Sequence, residues 1–150
     1  MPVTMEQVRA ALDPEEPDYA AATQLGPEAL PHLEKLIAGK DVGLASKAAS
    51  LAGMIGGERA TRPLQKAAGH ADVRVRVAAA HAAGRLPPPA ASPILADLLA
   101  DKDVGVQKVA LRSVPRQATP DLRARVEALT KKRANPGIQE LSQKVLGRLR

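Results

Sequence analysis

Apolar residues recur along this chain in evenly spaced columns: Leu33, Leu64, Leu95 and Val126 form one column, and Leu36, Ala67, Leu98 and Leu129 a second. Between them runs a third recurrence. Asp72-Val73-Arg74-Val75-Arg76-Val77-Ala78-Ala79-Ala80-His81-Ala82-Ala83-Gly84 reads as a helix opened by an aspartate cap and closed at glycine. Its start is repeated at Asp41-Val42-Gly43-Leu44 and at Asp103-Val104-Gly105-Val106, at the same interval as the columns. With one residue inserted, it is repeated again at Asn135-Pro136-Gly137-Ile138-Gln139. A fixed period of about 30 residues with a helical stripe in each half predicts stacked helix pairs, each burying its apolar face only against its neighbours.

Taken in order, Thr4-Met5-Glu6-Gln7 has the form of a capping box, with Met5, Val8 and Leu12 at helical spacing after it. Asp13-Pro14 and the acidic run Glu15, Glu16, Asp18 then start a shortened first copy. Leu30, Leu33, Leu36 and Ile37 predict the next helix, and Leu44, Ala48, Leu51, Ala52 and Ile55 its partner. The third copy uses Leu64, Ala67 and Ala68, then Val75, Ala78, Ala79, Ala82, Ala83 and Leu86. Pro87-Pro88-Pro89 reads as a stiff turn between copies, because the period passes through it unbroken. Ile94, Leu95, Leu98 and Leu99 are followed by Val106, Val109, Ala110 and Val114, with Pro115 expected to stop that helix a turn early. Thr119-Pro120-Asp121 is a strong helix start before Leu122, Val126 and Leu129, and the last helix buries Ile138, Leu141, Val145, Leu146 and Leu149. The reading is a single domain, 1–150, with repeats at about 3–25, 27–56, 58–86, 90–116 and 119–149.

Composition supports close-packed helices. Apolar residues make up 45% of 150, yet Tyr19 is the only aromatic one, so the core must be Leu, Val, Ile and many Ala. Small side chains let helices approach closely. With no Cys there is no disulfide, thiolate metal site or cysteine nucleophile. Neither a signal-type apolar segment nor an apolar run long enough to span a bilayer is found, and a soluble cytoplasmic protein is expected.

The second-helix outline, Asp-x-x-Val-Arg followed by Ala-Ala-x-x-Ala-x-Gly, resembles the HEAT repeat, in the short variety named after phycobiliprotein lyases. Residues 72–84 carry the resemblance best. It implies an all-α fold, a right-handed α-solenoid of about five HEAT-like helix pairs, with second helices on the concave side and a scaffold's role. It also implies that Arg76 pairs with an aspartate at a repeat junction, with Asp72, Asp41 and Asp103 the candidates. The equivalent positions hold Ala45, Gln107 and Gln139, so a ladder of such pairs is reduced to about one rung.

Some HEAT-like proteins are enzymes, but none of their chemistry is present. The paired His-Glu motifs of deoxyhypusine hydroxylase are absent, since none of His32, His70 and His81 is followed by Glu. A lyase's tetrapyrrole and a DNA glycosylase's damaged base both call for aromatic side chains, of which the chain offers only Tyr19, at its acidic end. His70-Ala71-Asp72 reads as a turn residue and a cap, since two ligands make no metal site. His32 is expected to be solvated. No catalytic residue, metal or cofactor is expected.

Charge is what remains. The net charge is +6, rising from four basic against eight acidic residues in 1–50 to twelve against five in 101–150. In a solenoid, chain order is spatial order, so one end should be acidic and the other basic. Counted from the caps, His81, Arg112 and Lys144 are equivalent, as are Arg85, Arg116 and Arg148. Lys108 lies one turn before Arg112, and Arg74 extends the row. Arg74, His81, Arg85, Lys108, Arg112, Arg116, Lys144 and Arg148 are therefore the candidate partner-binding residues, with Met54 and Val77 as a possible apolar centre. Lys131-Lys132-Arg133 reads as a helix C-terminus complementing its dipole. The expected partner is a protein with an acidic surface, bound through the second-helix face. The alternative is sequence-independent contact with a nucleic-acid backbone, without stacking for want of aromatics.

Overall fold

A computed structural model describes residues 2–132 and 135–150, so Arg133 of the basic run lies outside the described residues. Among the described residues ten α-helices follow one another: α1 Met5–Leu12, α2 Tyr19–Ala22, α3 Leu30–Ile37, α4 Val42–Ile55, α5 Thr61–Ala68, α6 Val73–Ala83, α7 Pro88–Leu99, α8 Val104–Ser113, α9 Pro120–Thr130 and α10 Pro136–Arg148. There is no strand among those residues. Each helix of the set α3, α5, α7, α9 packs against the next of that set, and α4, α6, α8, α10 do the same in a second layer. Contacts between α3 and α4, α5 and α6, α7 and α8, and α9 and α10 join the layers. This is an all-α solenoid, and the core is the seam between its two layers.

The caps explain where the helices begin. Asp41, Asp103, Thr119 and Asn135 each accept the backbone N–H three residues on, at 3.0–3.3 Å. Asp72 accepts that of Arg74, two residues on, at 2.9 Å, and Thr4 and Gln7 form the capping box expected of them. Leu33, Leu64, Leu95 and Val126 are fully buried, as the columns require. Gly56 and Gly57, with φ of 70° and 79°, turn the chain from α4 into the next pair in a backbone region that side chains disfavour.

Three local expectations are corrected. Pro88 and Pro89 are the first residues of α7, and only Pro87 stands outside it as cap. Proline suits a first turn, where its missing N–H has no partner to lose. His32 is half-buried, its Nε2 2.8 Å from the Val3 carbonyl oxygen, so it ties the leading segment to α3. Arg76 pairs with Asp101, not with Asp72, Asp41 or Asp103. Its Nε donates to Asp101 Oδ2 at 2.9 Å and its Nη1 to the carbonyls of His70 and Ala71 at 2.9 and 3.0 Å. Asp72 is occupied by Arg74, while Asp101 sits just before the next cap and also receives the Asp103 N–H at 2.9 Å.

The second-helix layer is held very close. A Cβ built on Gly53 would lie 2.6 Å from the Ala82 Cβ and 2.8 Å from its Cα. The approach recurs one pair further on, where a Cβ on Gly84 would lie 3.1 Å from the Ser113 carbonyl oxygen. Gly53→Ala therefore forces α4 and α6 apart and is expected to cost about 1–3 kcal/mol. Gly147, in α10, has nothing within 4 Å of its Cβ position. Gly147→Ala is accordingly expected to stabilise by up to about 1 kcal/mol through helix propensity. Urea midpoints of the two variants should move in opposite directions. Arg76→Ala leaves Asp101, with a side chain only 9% exposed, as an uncompensated charge and should lower stability by roughly 3–5 kcal/mol by the same measurement.

Candidate functional site

The eight candidate positions do not form one uniform row. Arg74, in the first turn of α6, is held by its own cap: Nη2 lies 2.9 Å from Asp72 Oδ2 and Nε 3.1 Å from Oδ1. The Arg74 guanidinium and backbone N–H bound to it depress the Asp72 carboxyl from 3.8 to about 2. Lys144, on α10, has Glu140 at 3.7 Å one turn earlier. Lys108 is half-buried and lies over the first turn of α10, with Nζ 3.5 Å from the Cβ position of Gly137. Arg148 Nη2 donates to the carbonyls of Arg112 and Leu111, at 3.3 and 3.5 Å, and so caps the end of α8.

The other four stand together where helices end. His81 is in the last turn of α6 and Arg85 just past its Gly84 cap, while Arg112 is in the last turn of α8. These three exposed side chains, with Gly84, Val109, Ser113, Val114 and Pro115, line one groove of about 410 Å³. Arg116 lies beyond α8, which stops at Ser113 as Pro115 predicted. It lines a neighbouring hollow of about 310 Å³ with Pro88, Pro115, Gln117 and Arg150, so Pro115 is common to both. Arg85, Arg112 and Arg116 have no carboxylate within ion-pair distance among the described residues.

Counting from caps does not reach Arg150, because it lies past the end of α10. Its N–H donates to the Arg116 carbonyl at 2.9 Å, and its own carbonyl accepts from Arg123 at 3.2 Å. That long-range pairing has no periodic signal. The expected apolar centre also shifts: Met54 and Val77 are half-buried, and the groove's apolar lining is Val109, Val114 and Pro115. A sequence feature matches this geometry. The segments 73–96, 104–120 and 141–150, which supply every residue of the groove and the hollow, contain no Asp or Glu. The first-helix layer differs, since Arg62 and Lys66 face Glu34 at 3.0 and 3.7 Å.

Little else on the molecule is arranged for chemistry. His70 Nδ1 accepts the Asp72 N–H at 2.9 Å, which makes it the turn residue expected. Among the described residues no three His, Cys, Asp or Glu side chains are placed to hold a metal ion, and no helix is long and apolar enough to cross a membrane. Burial raises the Tyr19 hydroxyl above its ordinary pKa, opposed in part by a hydrogen bond with Ser50.

A family model described as HEAT repeats matches residues 30–115. The complex of CpcE and CpcF of phycocyanin lyase from Nostoc sp. PCC7120 contains a similar structure, with a TM-score of 0.74 at 19% identity over 94% of this chain and 96% of that one. A designed armadillo repeat protein in complex with the peptide (KR)4 is also similar, with a TM-score of 0.63 at 19% identity over 97% of this chain and 75% of that one. No curated protein sequence matches the chain.

The Asp72–Arg74 pair makes one titration distinctive. A carboxyl whose folded pKa is depressed contributes stability above its unfolded value and loses it as pH falls through the folded one. In a carbon-detected NMR titration Asp72 should be half-protonated near pH 2. In Arg74→Ala it should return toward 3.8, since its main stabilising donor is gone.

Proposed function

The chain belongs to the HEAT-repeat family, and on that premise we propose that it is a non-enzymatic interaction scaffold binding an acidic protein partner through its second-helix face. One observation carries the reading. Three acid-free segments, adjacent in space through α6, α8 and α10, bring nine Lys and Arg residues to this layer. Four arginines without an ion pair among the described residues stand at its edge, Arg85 and Arg112 in the groove and Arg116 and Arg150 in the hollow beside it. We take the five helix pairs as one binding body, with repeats as the sequence divides them. The close helix spacing at Gly53 and Gly84 supports placing this layer inside the curve.

Both similar structures are complexes, CpcE with CpcF and the armadillo protein with (KR)4, which supports a protein or peptide partner for this architecture. Arginines flanked by apolar groups are frequent anchors of such interfaces, and the groove sets exposed Arg85 and Arg112 beside half-buried Val109 and Pro115. The same acid-free segments favour a second reading, contact with a nucleic-acid backbone, whose affinity would fall steeply with salt.

Capture from nuclease-treated lysate at low and moderate salt separates the two. The tagged wild type should retain a protein that Arg85→Glu/Arg112→Glu loses, while Lys144→Glu, already neighboured by Glu140, should lose less than half of it. Unchanged helicity by circular dichroism shows the loss to be local. A partner retained by the double reversal, or one released by nuclease, would count against the protein-binding reading.

A further inference from the structure

We propose that the groove between the ends of α6 and α8 is a phosphomonoester site, taking a phosphoserine or phosphothreonine of the partner between Arg85 and Arg112. This rests on the protein-binding reading above and names the group recognised. The argument starts from charge. Arg85 and Arg112 line one groove of about 410 Å³ with no acidic residue in its lining. A phosphomonoester carries about −1.5 to −2 near neutral pH, which matches two guanidinium groups. A single carboxylate or a phosphodiester carries one charge and would leave half of that field unanswered.

The second argument is what the structure does to the helix end. The C-terminus of α8 would present unpaired carbonyls and the negative pole of its dipole to anything beside Arg112. Arg148 Nη2 reaches across from α10 to the carbonyls of Leu111 and Arg112, and the Ser113 hydroxyl donates to the Val109 carbonyl at 2.8 Å. Arg148 thereby offsets part of the negative pole at the end of α8. Arg148 is a positioning residue in this arrangement: it conditions the site without lining the groove.

Half-buried Val109 and Pro115 give the groove an apolar side beside its cations, which suits a phosphorylated side chain with apolar neighbours on a peptide. Pro115 continues into the hollow holding Arg116 and Arg150, so a second acidic residue nearby on the peptide would meet those two. Guanidinium groups bind phosphate oxygens in a fork that ammonium groups cannot reproduce.

The test uses three acetylated and amidated peptides, Ala-Val-pSer-Pro-Glu-Ala and its Ser and Glu counterparts, titrated into the full chain by NMR. The phosphopeptide should saturate and shift the Nε–H resonances of Arg85 and Arg112 and the amides of Gly84 and Ser113. Its affinity should exceed that of the Glu peptide by about tenfold, the scale of one strong charge-assisted contact. Arg112→Lys and Arg85→Lys, which keep the charge, should each reduce phosphopeptide affinity severalfold while leaving the melting temperature unchanged. Equal affinity for the Glu peptide would overturn the phosphate inference and leave the acidic-partner reading standing. Absence of any saturable peptide shift, together with a lysate partner retained by Arg85→Glu/Arg112→Glu, would remove both. If instead a dT12 oligonucleotide shifts these resonances and the phosphopeptide does not, the site is a nucleic-acid contact and the inference fails.

Discussion

The later pairs share one constraint, that carbonyls at or just past the end of the first helix are satisfied by a side chain of the second. The last turn of a helix leaves carbonyl groups without intrahelical partners, and here they face the second helix of the pair. In the third pair Arg76 reaches the carbonyls of His70 and Ala71; in the fourth, Gln107 reaches Leu99 at 3.3 Å; in the fifth, Gln139 reaches Thr130 at 2.9 Å. Nearer the start of the chain, Lys47 does comparable work on Leu12 and Pro14, at 3.1 and 2.8 Å. A side chain of one helix thus takes up carbonyls left open at the end of another.

Arg76 also links its pair to the next through Asp101, and the low exposure of both side chains makes that link expensive to break. Elsewhere the pairs are joined by the buried apolar side chains between them, by Arg62 and Lys66 on Glu34, by Arg148 on the end of α8, and by close glycine contacts. Gly53 lies so close to Ala82 that a side chain there would force α4 and α6 apart, and Gly84 is only slightly less tight against Ser113 of α8. A core of small residues concentrates its specificity in such contacts, because little volume is available to be repacked.

The same closeness shapes the surface. Helices drawn together at their C-terminal ends bring Arg85 and Arg112 to one groove, and the early stop of α8 turns Arg116 into the next. Unpaired arginines held this near one another repel, and the arrangement persists because each is exposed to water. A ligand that neutralises them gains most where the field is strongest. Cations farther along the layer are already answered, Arg74 by Asp72 and Lys144 by Glu140, so the layer is graded and not uniformly basic.

The sequence by itself determined the repeat. A constant interval, aspartate caps and buried columns at Leu33, Leu64, Leu95 and Val126 are local or nearest-neighbour features, and in a solenoid such features define the architecture. It also counted Arg112 to the last turn of α8, since register from a cap holds to the end of a helix, whereas Arg85 and Arg116 lie past the ends of α6 and α8. The tertiary structure decided the pairings. Arg76 chose Asp101 over three aspartates closer to expectation, His32 turned to Val3, and Arg150 folded back onto Arg116. Long flexible side chains and chain ends have many partners within reach along a sequence. Which one is taken is set by the distance between neighbouring pairs, and that exists only once they have packed.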